Sequence, residues 1–248
     1  EIMSSDWSSD VCSSDLFSLG SKWSDDTLSA AVFQPSLRLR FTPNRRHTLW
    51  GAISQAVHNP STLEGFSQVR VPGDMTHHPP VITSFEGHTE VAAERLRAYE
   101  LGYRWQAIRA WRLDLALFFH DYSDLLSAGP GAWSCEPMGV RLASTPACLA
   151  EAAYLLDARP IRNAADGESR GLELALDWRR PADRWYAALA YNYMILDLRK
   201  PRGNLPDLQS EVYLANTDRS QPRHQLHLRL GGRPTPLSWE IGLRHVDA

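Results

Sequence analysis

Trp111-Arg112-Leu113-Asp114-Leu115-Ala116-Leu117-Phe118-Phe119-His120 alternates its side chains with a period of two. Leu113, Leu115, Leu117 and Phe119 leave one face of such a segment, and Arg112, Asp114, Ala116, Phe118 and His120 leave the other. Leu172, Leu174, Leu176 and Trp178 repeat this against Glu173, Ala175, Asp177 and Arg179. A period of two means β-strand, because successive side chains point to opposite faces of the pleat. Full charges on one face make that side wet, while the other is continuously apolar. That combination suits the wall of a transmembrane β-barrel, with lipid outside and a polar lumen inside.

Working outward, the same alternation predicts eight strands: Leu28–Thr42, Thr48–His58, Ala92–Gln106, Trp111–Leu125, Ser169–Arg179, Arg184–Leu198, Arg223–Leu230 and Leu237–Val246. Each is near or above the roughly 9–11 residues that a tilted strand needs to cross a bilayer. The connectors fall into two classes. Pro43–His47, Ala107–Ala110, Pro181–Asp183 and Gly231–Pro236 are short, and most have the composition of hairpin turns. Asn59–Val91, Ser127–Glu168 and Arg199–Pro222 are far longer than connections in compact domains usually are. Short and long alternate strictly, as in outer-membrane barrels, whose periplasmic turns are tight and extracellular loops long. Trp105, Trp111, Trp178, Trp185 and Trp239 all lie near short turns, where an interfacial girdle belongs. Tryptophans filling a sandwich core would satisfy the same positions.

The 248 residues are 43% hydrophobic and 22% charged, with a formal net charge of −3. These values suit a barrel, since only every second strand residue faces lipid. No apolar run is long enough for a transmembrane helix. The near-balanced charge argues against nucleic acid as a partner.

Residues 1–16 read differently. Ser4-Ser5-Asp6, Ser8-Ser9-Asp10 and Ser13-Ser14-Asp15 are near-copies, without the basic start and apolar stretch of a secretory signal. Val11-Cys12-Ser13-Ser14-Asp15-Leu16 can be encoded by a string that resembles the end of a sequencing-library adaptor. A flexible serine/acid linker is the alternative. Residues 1–16 are therefore expected to be non-native, and residues 17–248 to form the barrel portion.

The wording of the strands resembles the barrel of TonB-dependent outer-membrane receptors. The resemblance is carried by Gln34-Pro35-Ser36-Leu37-Arg38-Leu39-Arg40-Phe41 and the stretch from Thr48 to Ser61. Glu94 to Arg104, with its Gly102-Tyr103-Arg104 ending, follows. Leu117 to Leu125, Gly167 to Leu174, and Pro222-Arg223-His224-Gln225-Leu226 continue the likeness in order. It spans roughly Phe33 to Asp247, and the pieces are specific only together. It implies a barrel of about 22 strands filled by a plug. A ligand then binds loops and plug, and energy arrives from an inner-membrane complex through TonB. Plug and TonB-contact segment are expected outside this chain, which reads as an internal fragment: a partial arc of about eight strands. Open edges make independent insertion as a functional pore unexpected.

Candidate chemistry sits in the long connectors. Cys135 and Cys148 form an even pair once Cys12 is set aside, in a compartment where disulfides persist. A pinned surface loop is expected, rather than redox or metal chemistry. His77, His78 and His88, beside Asp74 and Glu86, are candidates for contact with a metal chelate or haem; solvated loop histidines are the bland reading. Trp133, beside the cysteines, is the stronger candidate, as an aromatic platform on a pinned loop. Arg38, Arg40, Glu100, Arg104, Arg112, Asp114, Glu173, Asp177 and Arg179 are expected to face the lumen.

Catalytic motifs, resident metal sites and cofactor motifs are not found, and adjacent His120 and Asp121 cannot share a site on a strand. The expected function is TonB-energised uptake of a scarce nutrient across the outer membrane of a Gram-negative bacterium, a ferric siderophore-type chelate being the usual cargo. A plug-free passive porin or a soluble β-sandwich binding module are the alternatives, with an outer-membrane phospholipase disfavoured by its missing Ser/His arrangement.

Overall fold

Nine strands follow one another across a single antiparallel wall. The structure, a computed structural model, describes residues 15–25, 31–107, 110–180, 185–199, 220–233 and 237–247. In chain order the elements are β1 (Leu16–Ser24), β2 (Val32–Asn44), β3 (His47–His58), α1 (Thr62–Phe66), β4 (Gln68–Pro72), β5 (Val81–Glu86) and β6 (Glu94–Ala107). They continue as β7 (Trp111–Ala128), β8 (Ala132–Glu136), β9 (Val140–Arg141), β10 (Tyr154–Arg180), β11 (Trp185–Arg199), β12 (His224–Gly232) and β13 (Trp239–Val246). The wall runs β1-β2-β3-β6-β7-β10-β11-β12-β13 and does not close.

The register aligns the apolar residues of every strand on one face. Phe17 opposes Leu39, which opposes Gly51 and then Leu101. Leu101 opposes Leu117, and Leu117 opposes Leu172. Beyond it, Leu189 opposes Leu228, and Leu228 opposes Leu243. A one-residue slip anywhere would turn a strand's greasy set inward, so this register is strongly specified. A sandwich would bury the face under a second sheet. Here it stays uncovered: Phe17 is 64%, Leu101 56%, Leu117 46% and Ile241 64% exposed. Trp105, Trp111, Trp178, Trp185 and Trp239 share that outward face at the short-turn end, and the Trp111–Trp178 and Trp185–Trp239 rings touch. The wall is therefore built for lipid on one side, and the soluble-sandwich alternative fails.

All eight expected strands form, with ends displaced by a few residues. Two differences are larger. A ninth wall strand, β1, pairs with β2 from Leu16 to Ser24, and Asp15 Oδ1 accepts a hydrogen bond from the Thr42 amide. Residues 1–14, with Cys12, lie outside the described residues, as do the connector Pro181–Asp183 and most of Arg199–Pro222.

The second difference concerns the long connectors, which are built rather than irregular. Strand β10 starts at Tyr154, well before the expected Ser169, and its first seven residues, Tyr154–Pro160, leave the wall to found a second small sheet. There β5 runs parallel to Leu155–Pro160, β8 pairs antiparallel to Tyr154–Ala158, and β4 and β9 flank them. A core of Val81, Cys135, Cys148 and Leu155 holds it together. The expected loops Asn59–Val91 and Ser127–Glu168 thus form one structured cap at the end of the wall opposite the short turns.

Candidate functional site

Helix α1 opens the cap. Ser61 caps it reciprocally with Glu64: the Ser61 amide donates to Glu64 Oε2 at 2.6 Å, and the Glu64 amide donates to Ser61 Oγ at 3.4 Å. Burial pushes the Glu64 carboxyl up, but the Ser61 hydrogen bonds and nearby His58 outweigh it and leave the group below its usual range. At Gly87 the chain passes so close to α1 that a Cβ would stand 2.8 Å from Glu64 O.

After β4 the chain turns at Asp74. Asp74 Oδ1 accepts from the Thr76 amide at 2.9 Å and from the Thr76 hydroxyl at 2.6 Å, and Oδ2 lies 2.9 Å from His77 Nδ1. Hydrogen bonds from Thr76, and then from His77, hold the Asp74 carboxyl down at about 2.

Between this turn, the small sheet and the outer ends of β7 and β10 lies a cleft of about 790 Å³. Its apolar lining includes Val81, Phe85, Leu126, Trp133 and Leu155. Glu64, Asp74, His77, Asp157 and Arg159 add polar groups. Asp157 and Arg159 stand two apart on β10, face the same way, and pair at 2.7 Å with side chains only 4% and 8% exposed. Gly131 makes room for that pair: a Cβ there would fall 1.9 Å from Asp157 Oδ1. A volume of this size, mostly apolar with a few converging polar groups, has the character of a small-molecule site.

Of the residues singled out from sequence, His77 and Trp133 meet across this cleft, whereas His78 and His88 do not line it. His78 is exposed; the His88 ring accepts a hydrogen bond from the Glu90 amide at 3.2 Å. Trp133 is half-buried rather than fully exposed, because part of its ring covers the core of the small sheet. Cys135 and Cys148 are joined by a disulfide within that core. Asp157 and Arg159 were not singled out; their signal was a charged pair inside an otherwise apolar strand. Among the described residues, no three His, Cys, Asp or Glu side chains are arranged to hold a metal ion.

The other face of the wall carries the expected charges. Arg104 opposes Asp114 in register, and Arg112 opposes Asp177. Asp114 accepts from the Arg104 guanidinium and, at 2.6 Å, from Arg112 Nε. His120 points the same way, 3.2 Å from Ser169 Oγ, which also lies 3.4 Å from the Tyr122 hydroxyl. A second hollow, of about 590 Å³, lies on this face among Trp50, Arg104, Asp114, Glu173, Asn192 and Arg244.

A lipid-ready outer face, a charged inner face and a structured cap at the long-loop end together describe a receptor barrel wall. A family model described as "TonB dependent receptor-like, beta-barrel" matches residues 6–248. The chain belongs to that family.

Solved structures agree in fold. The ferric enterobactin receptor PfeA of Pseudomonas aeruginosa, as its G324V mutant, superposes with a TM-score of 0.66 at 18% identity, over 93% of this chain and 30% of that one. The siderophore receptor PirA of Acinetobacter baumannii gives 0.62 at 17% identity, over 91% and 30%. The FrpB iron transporter of Neisseria meningitidis gives 0.53 at 17% identity, over 87% and 26%. A search of curated proteins finds no match. The chain thus spans roughly a third of such receptors' length and shares their barrel wall.

Proposed function

We propose that this TonB-dependent receptor segment serves in the outer membrane of a Gram-negative bacterium, in the import of a scarce nutrient of the ferric siderophore class. The carrying observation is the built cleft at the outer end of the wall, where Trp133, His77 and the Asp157–Arg159 pair, distant in sequence, converge. Aromatic and apolar walls fit a flat chelating group, and the paired Asp157 and Arg159 add polar contacts at its edge. Structural neighbours described as siderophore and ferric enterobactin receptors support this class of cargo. In this mechanism the cap captures the chelate, and energy delivered through TonB from the inner-membrane complex drives release into the charged lumen. Nothing covalent happens to the cargo. The chain's part is to bind, to orient and to line a path.

The test is uptake of radiolabelled iron, offered as a panel of ferric siderophores, in cells with and without the native gene and with and without TonB. Import that requires both supports the proposal. Import that needs the gene but not TonB indicates a passive channel. No deficit for any ferric chelate would remove this class of cargo.

A further inference from the structure

The floor of the cleft is a row across the small sheet. Asp157 on β10 opposes Thr83 on one side and Trp133 on the other, and directly opposed residues share a face. Two residues along, Arg159 opposes Phe85 on that same face. Trp133 and Phe85 thus flank the Asp157–Arg159 pair, and all four line the cleft. Arg159 Nε donates to Asp157 Oδ2. Asp157 Oδ1 is buried as well, yet among the described residues nothing donates a hydrogen bond to it. A carboxylate accepts from several donors, and a buried oxygen left without one is costly. Gly131, which stands against Oδ1, presents no side chain there. Glu64 and Asp74 also line the cleft, both held below their ordinary range and therefore ionised. Three carboxylates thus accompany one guanidinium, an excess of two negative charges, or of one when His77 is protonated.

A buried acceptor without a donor, an aromatic ring beside it and a surplus of negative charge suit one kind of group. A cation over an indole face is attracted by the ring quadrupole, and a positively charged N–H donor makes the stronger hydrogen bond to a carboxylate. We propose that the cleft recognises a protonated amine, so that the iron chelate it takes carries an ammonium group and anionic chelates are disfavoured. The ammonium group lies against Trp133 and donates to Asp157 Oδ1 beside Gly131. Glu64 and Asp74 supply the attracting field, and the apolar lining around Phe85 and Leu126 takes the body of the chelate. A ferric tris-catecholate is triply negative, and the same carboxylates repel it, which adds discrimination to attraction. The proposal rests on the ferric-chelate reading given above and adds the sign of the cargo's charge.

The test titrates the native full-length receptor in detergent, by calorimetry, with three ferric chelates. These are a tris-hydroxamate bearing a terminal primary amine, its N-acetylated form and a tris-catecholate, which are cationic, neutral and anionic in turn. The wild type is expected to bind the amine form about tenfold more tightly than the acetylated one, and the catecholate least. Added salt should narrow the preference. Asp157→Asn should abolish it. Asp74→Asn with Glu64→Gln should reduce it severalfold, since both replacements keep the acceptors of the turn and the helix cap while removing charge. Equal affinity for the amine and acetylated forms, or tighter binding of the catecholate, would overturn the ammonium site and leave a ferric chelate as the cargo. Binding of none of the three would overturn both readings. Should Asp157→Asn not fold, an unchanged preference in the Asp74→Asn/Glu64→Gln variant overturns the site equally.

Discussion

Trp50 lies across Gly102: the two residues oppose one another between β3 and β6, and a Cβ at position 102 would stand 2.1 Å from the indole ring. Glycine here is a packing requirement on the inner face. Gly102→Ala should push the ring aside and cost about 1–3 kcal/mol, the usual penalty of overpacking. Gly242→Ala, where nothing lies within 4 Å, should be silent. Thermal unfolding of the two variants in detergent, followed by gel mobility, checks the contrast; equal midpoints would contradict the packing.

Leu117 sits in the middle of the outward belt, with Leu101 and Leu172 beside it. Leu117→Arg should cost about 2–4 kcal/mol near the bilayer midplane. Glu173→Gln, on the inner face, should leave insertion unchanged. Denaturant titration in lipid vesicles measures both. Comparable tolerance at the two positions would mean that the belt does not face lipid.

Trp111 to Phe119 declares its state because one face is charged and the other apolar, and a half-wet strand writes that difference into its sequence. Tyr154 to Pro160 does not. Leu155 and Leu156 are adjacent, point to opposite faces and are both buried, so alternation vanishes where burial is complete. β1 was hidden for another reason: its small polar residues dilute Phe17, Leu19 and Trp23, and its first residue falls in the stretch set apart as foreign. The cleft was half legible. His77 and Trp133 have the right chemistry on their face, but only the pairing of β5 and β8 on either side of β10 brings them together, and pairing across such separation leaves no local signal.

Asp157 and Arg159 are a buried pair, and removing Arg159 leaves the Asp157 carboxylate buried without its counter-charge. Arg159→Met should destabilise the small sheet by about 3–5 kcal/mol, whereas joint replacement of both residues by apolar ones of similar volume should recover most of the loss. Hydrogen exchange over Tyr154–Pro160 reports the opening. A double variant as unstable as the single one would show that the pair does not act as a unit.

Asp74 makes the cleft rim pH-sensitive only under strong acid. Its folded value, about 2, lies below the ordinary 3.8. A depressed carboxylate contributes stability that is complete above its unfolded value and is lost as pH falls through the folded one. The turn from Asp74 to His77 should therefore keep its amide protection from neutral pH down to about 4, and lose it on approach to about 2. Hydrogen exchange at Thr76 measures this. Asp74→Asn should abolish that pH dependence, and loss of protection well above 4 in the wild type would refute the assignment.

Cys135 and Cys148 close a segment of thirteen residues in sequence separation, and both are buried in the core beneath Trp133. A cross-link of this span removes roughly 3 kcal/mol of loop-closure entropy from the opened state. Its effect should be local, because the barrel wall is held by its own ladder. Cys135→Ala with Cys148→Ala should raise hydrogen exchange across Ala132–Ala150, loosen Trp133, and leave β6 protected from Tyr99 to Trp105 and β7 from Leu113 to Phe119. If the pin also shapes the cleft, binding of a ferric chelate should weaken in the same variant while the wall's unfolding temperature holds. Unchanged exchange in the segment would show that β8 and its partner strand suffice without the bond.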